Sequence, residues 1–208
     1  MKIILLCNTE QQEELTAQGL HASAELIYAD DAASLTVNEA DACVDLLFDN
    51  SSERIKKLSN LRTEVIAVNS VVNTLKELPS GYVRINGWNT FLKRPLIEAA
   101  GHDSLKKKTE QLFSSFNKKV EWIPDIPGFI SARVLASIIN EAYFAFQEQV
   151  STKEEIDIAM RLGTNYPFGP FEWSQKIGLK KIYHLLTRLS ENQKRYTPAE
   201  SLRNEVNI

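Results

Sequence analysis

Glycine is scarce at the start of this chain. The 208 residues hold eight glycines, at positions 19, 81, 87, 101, 128, 163, 169 and 178. None falls in the first 18 residues and no two are separated by a single residue, so the chain has no G-x-G and no G-x-G-x-x-G. The P-loop pattern and the G-x-S-x-G nucleophile elbow are absent as well. Cysteine is limited to Cys7 and Cys43, with no C-x-x-C, which argues against a disulfide framework and a structural zinc site. No apolar run approaches the roughly 18 residues of a membrane span. The first run ends at Cys7, too short for a secretory leader. Neither sign of charge dominates: 24 Lys and Arg against 27 Asp and Glu leave a net −3. That balance argues against a dedicated nucleic-acid binder or a polybasic membrane binder. These absences predict a cytoplasmic protein with no nucleic-acid or membrane partner.

What is present suits a globular chain of one large or two modest domains, with 43% apolar and 25% charged residues. In the first half, short apolar runs alternate with polar helical ones. Lys2-Ile-Ile-Leu-Leu-Cys7, Glu25 to Ala29, Ala42 to Phe48, Thr63 to Asn69 and Tyr82 to Asn86 read as strands, with Leu96 to Ala100 as a sixth. Helices are expected over Glu10–Gln18, closed by Gly19, and over about Ser52–Asn60. This alternation predicts an α/β domain with a parallel sheet and short crossovers.

A break follows at Trp122-Ile-Pro-Asp-Ile-Pro-Gly128, and no convincing strand pattern lies beyond it. Pro127 suits the first turn of a helix. Ile130, Val134, Ile138, Ala142, Phe146 and Val150 then recur at i+4, and Leu135, Ile139 and Tyr143 widen the stripe. A helix over 127–150 would be about 36 Å long, with two apolar faces to cover. Ser151-Thr-Lys-Glu154 reads as a capping box for a helix that Gly163 closes. Helices around Phe171–Ile177 and Lys180–Ser190 complete an all-α half. The expected division is 1–122 and 123–208.

Within the second half, Pro127-Gly-Phe-Ile130, Arg133, Asn140-Glu-Ala142, Glu155-Ile-Asp157, Ala159-Met160, Leu162-Gly163 and Tyr166-Pro-Phe-Gly-Pro-Phe-Glu172 lead to Gly178-Leu179. In order and spacing this series resembles the C-terminal domain of the 3-hydroxyacyl-CoA dehydrogenases of fatty-acid β-oxidation. The resemblance implies a preceding NAD-binding Rossmann domain, and the first half looks like a shortened one. Asp41-Ala-Cys-Val-Asp-Leu-Leu-Phe48 and Val65-Ile-Ala-Val-Asn-Ser70 are similar to two of its strand motifs.

The family oxidises a 3-hydroxyl by hydride transfer to NAD while a His, oriented by a Glu, removes the proton. The stretch matching its H-F-F-N-P segment is Asn86-Gly-Trp-Asn-Thr-Phe-Leu-Lys-Arg-Pro-Leu-Ile-Glu98. By resemblance Glu98 fills the Glu position and Asn89 the motif's Asn, while Asn86 stands where the family has its His. An amide does not titrate near neutrality and cannot take the proton. The family's polar run after the fourth strand is thinned to Ser70-Val-Val-Asn-Thr74, leaving Ser70 as a substrate-binding candidate and Val71 where a Ser would sit. The Asn of P-G-F-I-x-N-R is Ala132. After the first strand, Cys7-Asn-Thr-Glu-Gln-Gln-Glu-Glu14 replaces the glycine turn. Side chains would fill the space for pyrophosphate, and Glu10, Glu13 and Glu14 would repel it. Asp30 or Asp31 could stand for the ribose-binding acid. No cofactor is expected, although the family uses NAD.

His102 is a remote substitute for the missing base, since Gly101 places it in a loop. His21 and His184 read as ordinary surface or core residues, and Cys7 and Cys43 as small buried hydrophobes. Trp88, Phe129, Phe168, Phe171 and Trp173 read as core or as lining for an acyl pocket. Lys106-Lys107-Lys108 reads as a solvated helix face or a contact to coenzyme A phosphates. Three functions fit: a degenerate dehydrogenase relative that binds an acyl-CoA-type ligand, an active NAD-dependent enzyme with unorthodox residues, or an interaction module. The resemblance and the long apolar helix both imply a homodimer through 127–150.

Overall fold

A computed structural model describes residues 1–30 and 39–207; Asp31 lies outside the described residues. The chain divides into two compact units, Met1–Phe129 and Ile130–Ile208.

The first unit is built on one sheet of seven strands: β1 (Lys2–Leu6), β2 (Glu25–Ala29), β3 (Ala42–Asp45), β4 (Val65–Asn69), β5 (Tyr82–Ile85), β6 (Leu96–Ala100) and β7 (Lys119–Trp122). Their spatial order is β2-β1-β3-β4-β5-β6-β7. Strands β1 to β5 are parallel. Among the described residues this is a doubly wound sheet lacking the outermost strand of its first half.

The period-2 pattern explains the layers. Ile3, Leu5, Ala42 and Val44 face one side with Leu15 of α1 (Thr9–Thr16) and with Leu112 and Phe113 of α3 (Asp103–Ser114). Ile4, Leu6 and Cys43 face the other with Leu58 of α2 (Ser52–Ser59). Every one of these side chains is fully buried.

The expectation of a parallel sheet holds for five strands and needs correction beyond them. β6 runs antiparallel to β5, and β7 runs parallel to β6. Only residues 86–95 separate β5 from β6. That is too short for a crossover helix, so the chain must turn back. β7 itself went unrecognised, because its half-buried Lys-Val-Glu-Trp alternates too briefly to stand out.

The second unit is helical among the described residues: α4 (Ser131–Gln147), α5 (Lys153–Thr164), α6 (Pro170–Ile177), α7 (Leu179–Ser190) and α8 (Glu200–Val206). The long helix begins at Ser131, not Pro127. Gly128 (φ 84°) and Phe129 (φ 49°) are both left-handed, which a right-handed helix cannot absorb. Its 17 residues give about 26 Å rather than 36 Å. The capping box of α5 is Thr152 with Glu155, one residue later than expected, and the helix runs past Gly163 to a left-handed Asn165. α8 is a short helix that the sequence reading did not anticipate.

Along α4, Leu135, Ile139 and Tyr143 are buried, while Ile130 before it, Val134 and Phe146 within it and Val150 after it stay exposed. Asn140 fastens the helix to the chain before α8: its Nδ2 donates to the Thr197 carbonyl and its Oδ1 accepts from Ala199 N–H, both at 2.9 Å. Lys153 Nζ lies 5.1–5.3 Å from the ring centroids of Tyr143, Phe146 and Phe171 and pairs with Glu205 at 2.5 Å. Among the described residues no helix is long and apolar enough to cross a membrane.

Candidate functional site

In a doubly wound sheet the ligand crevice opens outside the carboxyl ends of the strands, where the winding reverses. Here that point lies between β1 and β3, past Leu6 and Asp45. Asp45 is fully buried and holds Arg54 through two bonds of 2.6 and 2.7 Å, which fixes α2 against the strand end. Burial raises the Asp45 carboxyl, and the Arg54 guanidinium counteracts it.

The start of α1 is closed by its own side chains. Asn8 Oδ1 accepts from Gln11 N–H at 2.9 Å, and Gln11 Oε1 accepts from Asn8 N–H at 3.1 Å. This reciprocal capping box satisfies backbone donors that a pyrophosphate would otherwise take. Gln11 is buried, and its Nε2 donates to the Leu46 carbonyl at 3.1 Å, tying α1 across the crevice to the residue after β3. A dinucleotide pyrophosphate does not fit this arrangement: the N–H groups of Asn8 and Gln11 are taken, the crossing is bridged, and no glycine leaves room. The capping signature Asn8-x-x-Gln11 was readable in the sequence and went unused.

Beside it, Cys7, Asn8, Thr9, Gln12, Tyr28, Ala29 and Asp30 line an open pocket of about 550 Å³. Burial lifts the Cys7 thiol to about 11, so it is not a nucleophile at neutral pH. Burial also raises Cys43.

The residues matched to the dehydrogenase pair meet. Asn86 follows β5, Glu98 lies in the antiparallel β6, and they are joined twice: Asn86 N–H donates to the Glu98 carbonyl at 3.0 Å, and Asn86 Nδ2 donates to Glu98 Oε2 at 2.8 Å. Both are buried, at 2% and 3% exposure. The amide keeps a hydrogen bond to the carboxylate but offers no basic nitrogen. Asn69, at the end of β4, steadies the same corner: its Oδ1 accepts from Gly87 N–H at 3.0 Å and its Nδ2 donates to Leu46 at 3.1 Å. A Cβ at Gly87 would come within 2.8 Å of Asn69, so only glycine permits this contact. Sequence reading does not single out Asn69, because a single amide carries no pattern.

Ser70 is buried next to Asn69, and its carbonyl accepts from Arg84 Nε at 3.0 Å. Arg84, fully buried, pairs with Asp125, donates to the Val71 and Ile126 carbonyls and lies over the Phe129 ring. Val71 thus contributes backbone rather than side chain.

Asn89 Nδ2 donates to Glu10 Oε2 at 2.6 Å, and Thr90 N–H donates to both oxygens of Glu14 at 2.9 and 2.8 Å. Burial raises the Glu14 carboxyl, and the Thr90 bond offsets part of that.

His102 caps α3, its Nδ1 accepting from Ser104 N–H at 3.3 Å. Lys106 pairs with Asp103 and Lys108 with Glu64, as on a solvated helix face. Trp88 is buried; Phe171 packs against Tyr143 at 4.8 Å and Phe168 against Trp173 at 5.9 Å. Ala132 is buried in α4.

Residues 128–207 match the model of the 3-hydroxyacyl-CoA dehydrogenase C-terminal domain. The 3-hydroxyadipyl-CoA dehydrogenase of Escherichia coli K12 is 40% identical over 107 residues, covering 50% of this chain and 22% of that protein. The mitochondrial hydroxyacyl-coenzyme A dehydrogenase of Sus scrofa is 32% identical over 164 residues, covering 72% of this chain and 52% of that protein. The chain thus spans between about a fifth and a half of the length of these relatives. The crystal structure of (S)-3-hydroxybutyryl-CoA dehydrogenase from Ralstonia eutropha superposes with a TM-score of 0.78 at 20% identity, over 99% of this chain and 93% of that one, a likeness of fold. With the helical motifs in order from Pro127 to Leu179 and a reduced doubly wound sheet before them, the chain belongs to the 3-hydroxyacyl-CoA dehydrogenase family.

Proposed function

We propose that this chain is a degenerate member of the family: with little or no dehydrogenase turnover of its own, it binds an acyl-CoA-type ligand and acts in the cytoplasm as a homodimer. The observation that carries this reading is the Asn86–Glu98 pair. Dehydrogenation of a 3-hydroxyl needs an acceptor for the hydroxyl proton, and Asn86 has none. Its amide can still hydrogen-bond an oxygen of a bound thioester or hydroxyl, with Glu98 holding it in place. Ser70 and Asn89 remain the polar substrate-binding candidates. The self-capped start of α1 and the Gln11 bridge support the loss of NAD binding. Residues 1–122 then serve as a scaffold and 123–208 as the helical module.

Two titrations test this. Adding protein to NADH should leave the nicotinamide fluorescence unchanged. A Kd below roughly 100 μM, or about −5.5 kcal/mol, would overturn the reading, because a site without phosphate grip cannot supply it. Acyl-CoA should bind; no binding would leave only an interaction module. Turnover of acetoacetyl-CoA should lie roughly 10²–10⁴ below that of an enzyme with a general base. Asn86→His alone should not restore it.

The dimer is supported by the stripe along α4. Next to it, Ser137, Ile138, Glu141, Ala142, Ala145, Ile156, Met160 and Pro170 line an apolar groove of about 360 Å³. Leu162 of α5 is 83% exposed. In light scattering at micromolar concentration the wild type should run at twice its monomer mass, and Ile138→Asp with Phe146→Asp as monomer or unfolded chain. A monomeric wild type would refute the dimer.

A further inference from the structure

Two acidic side chains of α1 hold a segment that has no secondary structure of its own. Between Trp88 and Lys93 the chain turns without helix or strand, and Thr90 sits at φ 75°, an unfavourable conformation for a β-branched residue. Something must hold it there. Glu10 and Glu14 lie one turn apart on α1 and therefore share a face. Glu10 takes the Asn89 amide at 2.6 Å, and Glu14 chelates the Thr90 N–H with both oxygens. From below, buried Lys118 donates from Nζ to the Leu92 and Arg94 carbonyls at 2.5 and 2.7 Å. Gln18 Nε2 also donates to the Lys93 carbonyl at 2.9 Å, so Glu10, Glu14, Gln18 and Lys118 all hold the segment.

We propose that Glu10 and Glu14 order the segment that carries Asn89, so that its conformation is set from α1 by the protein's own carboxyl groups. They are positioning residues. They set the loop beside the Asn86–Glu98 pair before any ligand arrives, and they fill with fixed negative charge the flank of α1 that a dinucleotide would approach. This deepens the reading of the chain as a cofactor-free family member and rests on it.

The test is amide hydrogen exchange on the full chain, wild type against Glu10→Gln with Glu14→Gln. In the wild type the Thr90 amide should be protected, and 1 mM NADH should not change it. In the double variant exchange at Thr90 and its neighbours should speed at least tenfold, while the amides of β1, β3 and β4 keep their protection. Asn89→Ala removes one grip from the other side and should loosen the same segment with α1 unchanged, which covers the case of a double variant that does not fold. If the loop stays equally protected in either folded variant while NADH still fails to bind, this inference is wrong and the functional reading stands. If NADH raises loop protection in the wild type, both fall.

Discussion

The N-terminal and helical units keep different kinds of polar residue. In the first, Asn86 and the turn after β1 depart from the family pattern, and the departing side chains bond to one another or to matched ones: Asn8 to Gln11, Asn86 to Glu98, Glu10 to Asn89. In the second, most of the family motif is kept, Ala132 being an exception, and its polar members close the fold. Asp157 of α5 accepts from the N–H groups of Phe171 and Glu172 at 2.8 and 3.0 Å, capping α6, and Asn140 fastens α4 to the chain before α8. A helix end or a buried carbonyl accepts few substitutes. A buried polar pair in the sheet unit asks only for side chains that satisfy one another.

If that contrast is right, the altered residues of the first unit now serve stability. Asn86→Ala should then cost about 1.5–3 kcal/mol in urea unfolding, because the buried Glu98 carboxylate loses one of its partners. A cost under half a kcal/mol would mean the pair contributes nothing and the contrast fails. In the second unit Asp157→Ala should cost about 1–2 kcal/mol by uncapping α6. Asp157→Asn should recover part of that by keeping one acceptor. A further effect is a slope in pH. Burial, with Arg94 adding to it and Glu14 opposing, pushes the Lys118 ammonium from 10.5 down to about 8. Between those values the unfolded chain binds more protons than the folded one, so stability relative to Lys118→Met should rise as pH goes from about 8 to 10.5. Parallel curves for the two proteins would show that Lys118 keeps its ordinary affinity.

The strand–helix alternation was legible because buried parallel strands are continuous apolar runs bounded by polar helices, and six of seven strands were found that way. β7 escaped because it is short and half-buried, and the reversal at β6 because strand sense depends on connection length rather than composition. The start of α4 was misplaced for a conformational reason: Pro127 favours a first turn, but the left-handed pair after it defers the helix to Ser131. At the site, the juxtaposition of Asn86 and Glu98 was readable through their twelve-residue offset in the family motif. The roles of Glu10 and Glu14 were not. They read as repulsion toward an absent phosphate, and only folding shows the donors they meet.

Gly169 shows what kind of information the helical motif carries. A Cβ there would lie 2.3 Å from the Asp157 carboxylate, so the glycine exists to let that cap approach. The motif by which this lineage is identified is therefore a joint between two helices. Kinship traced through such a joint certifies a shape, not a reaction.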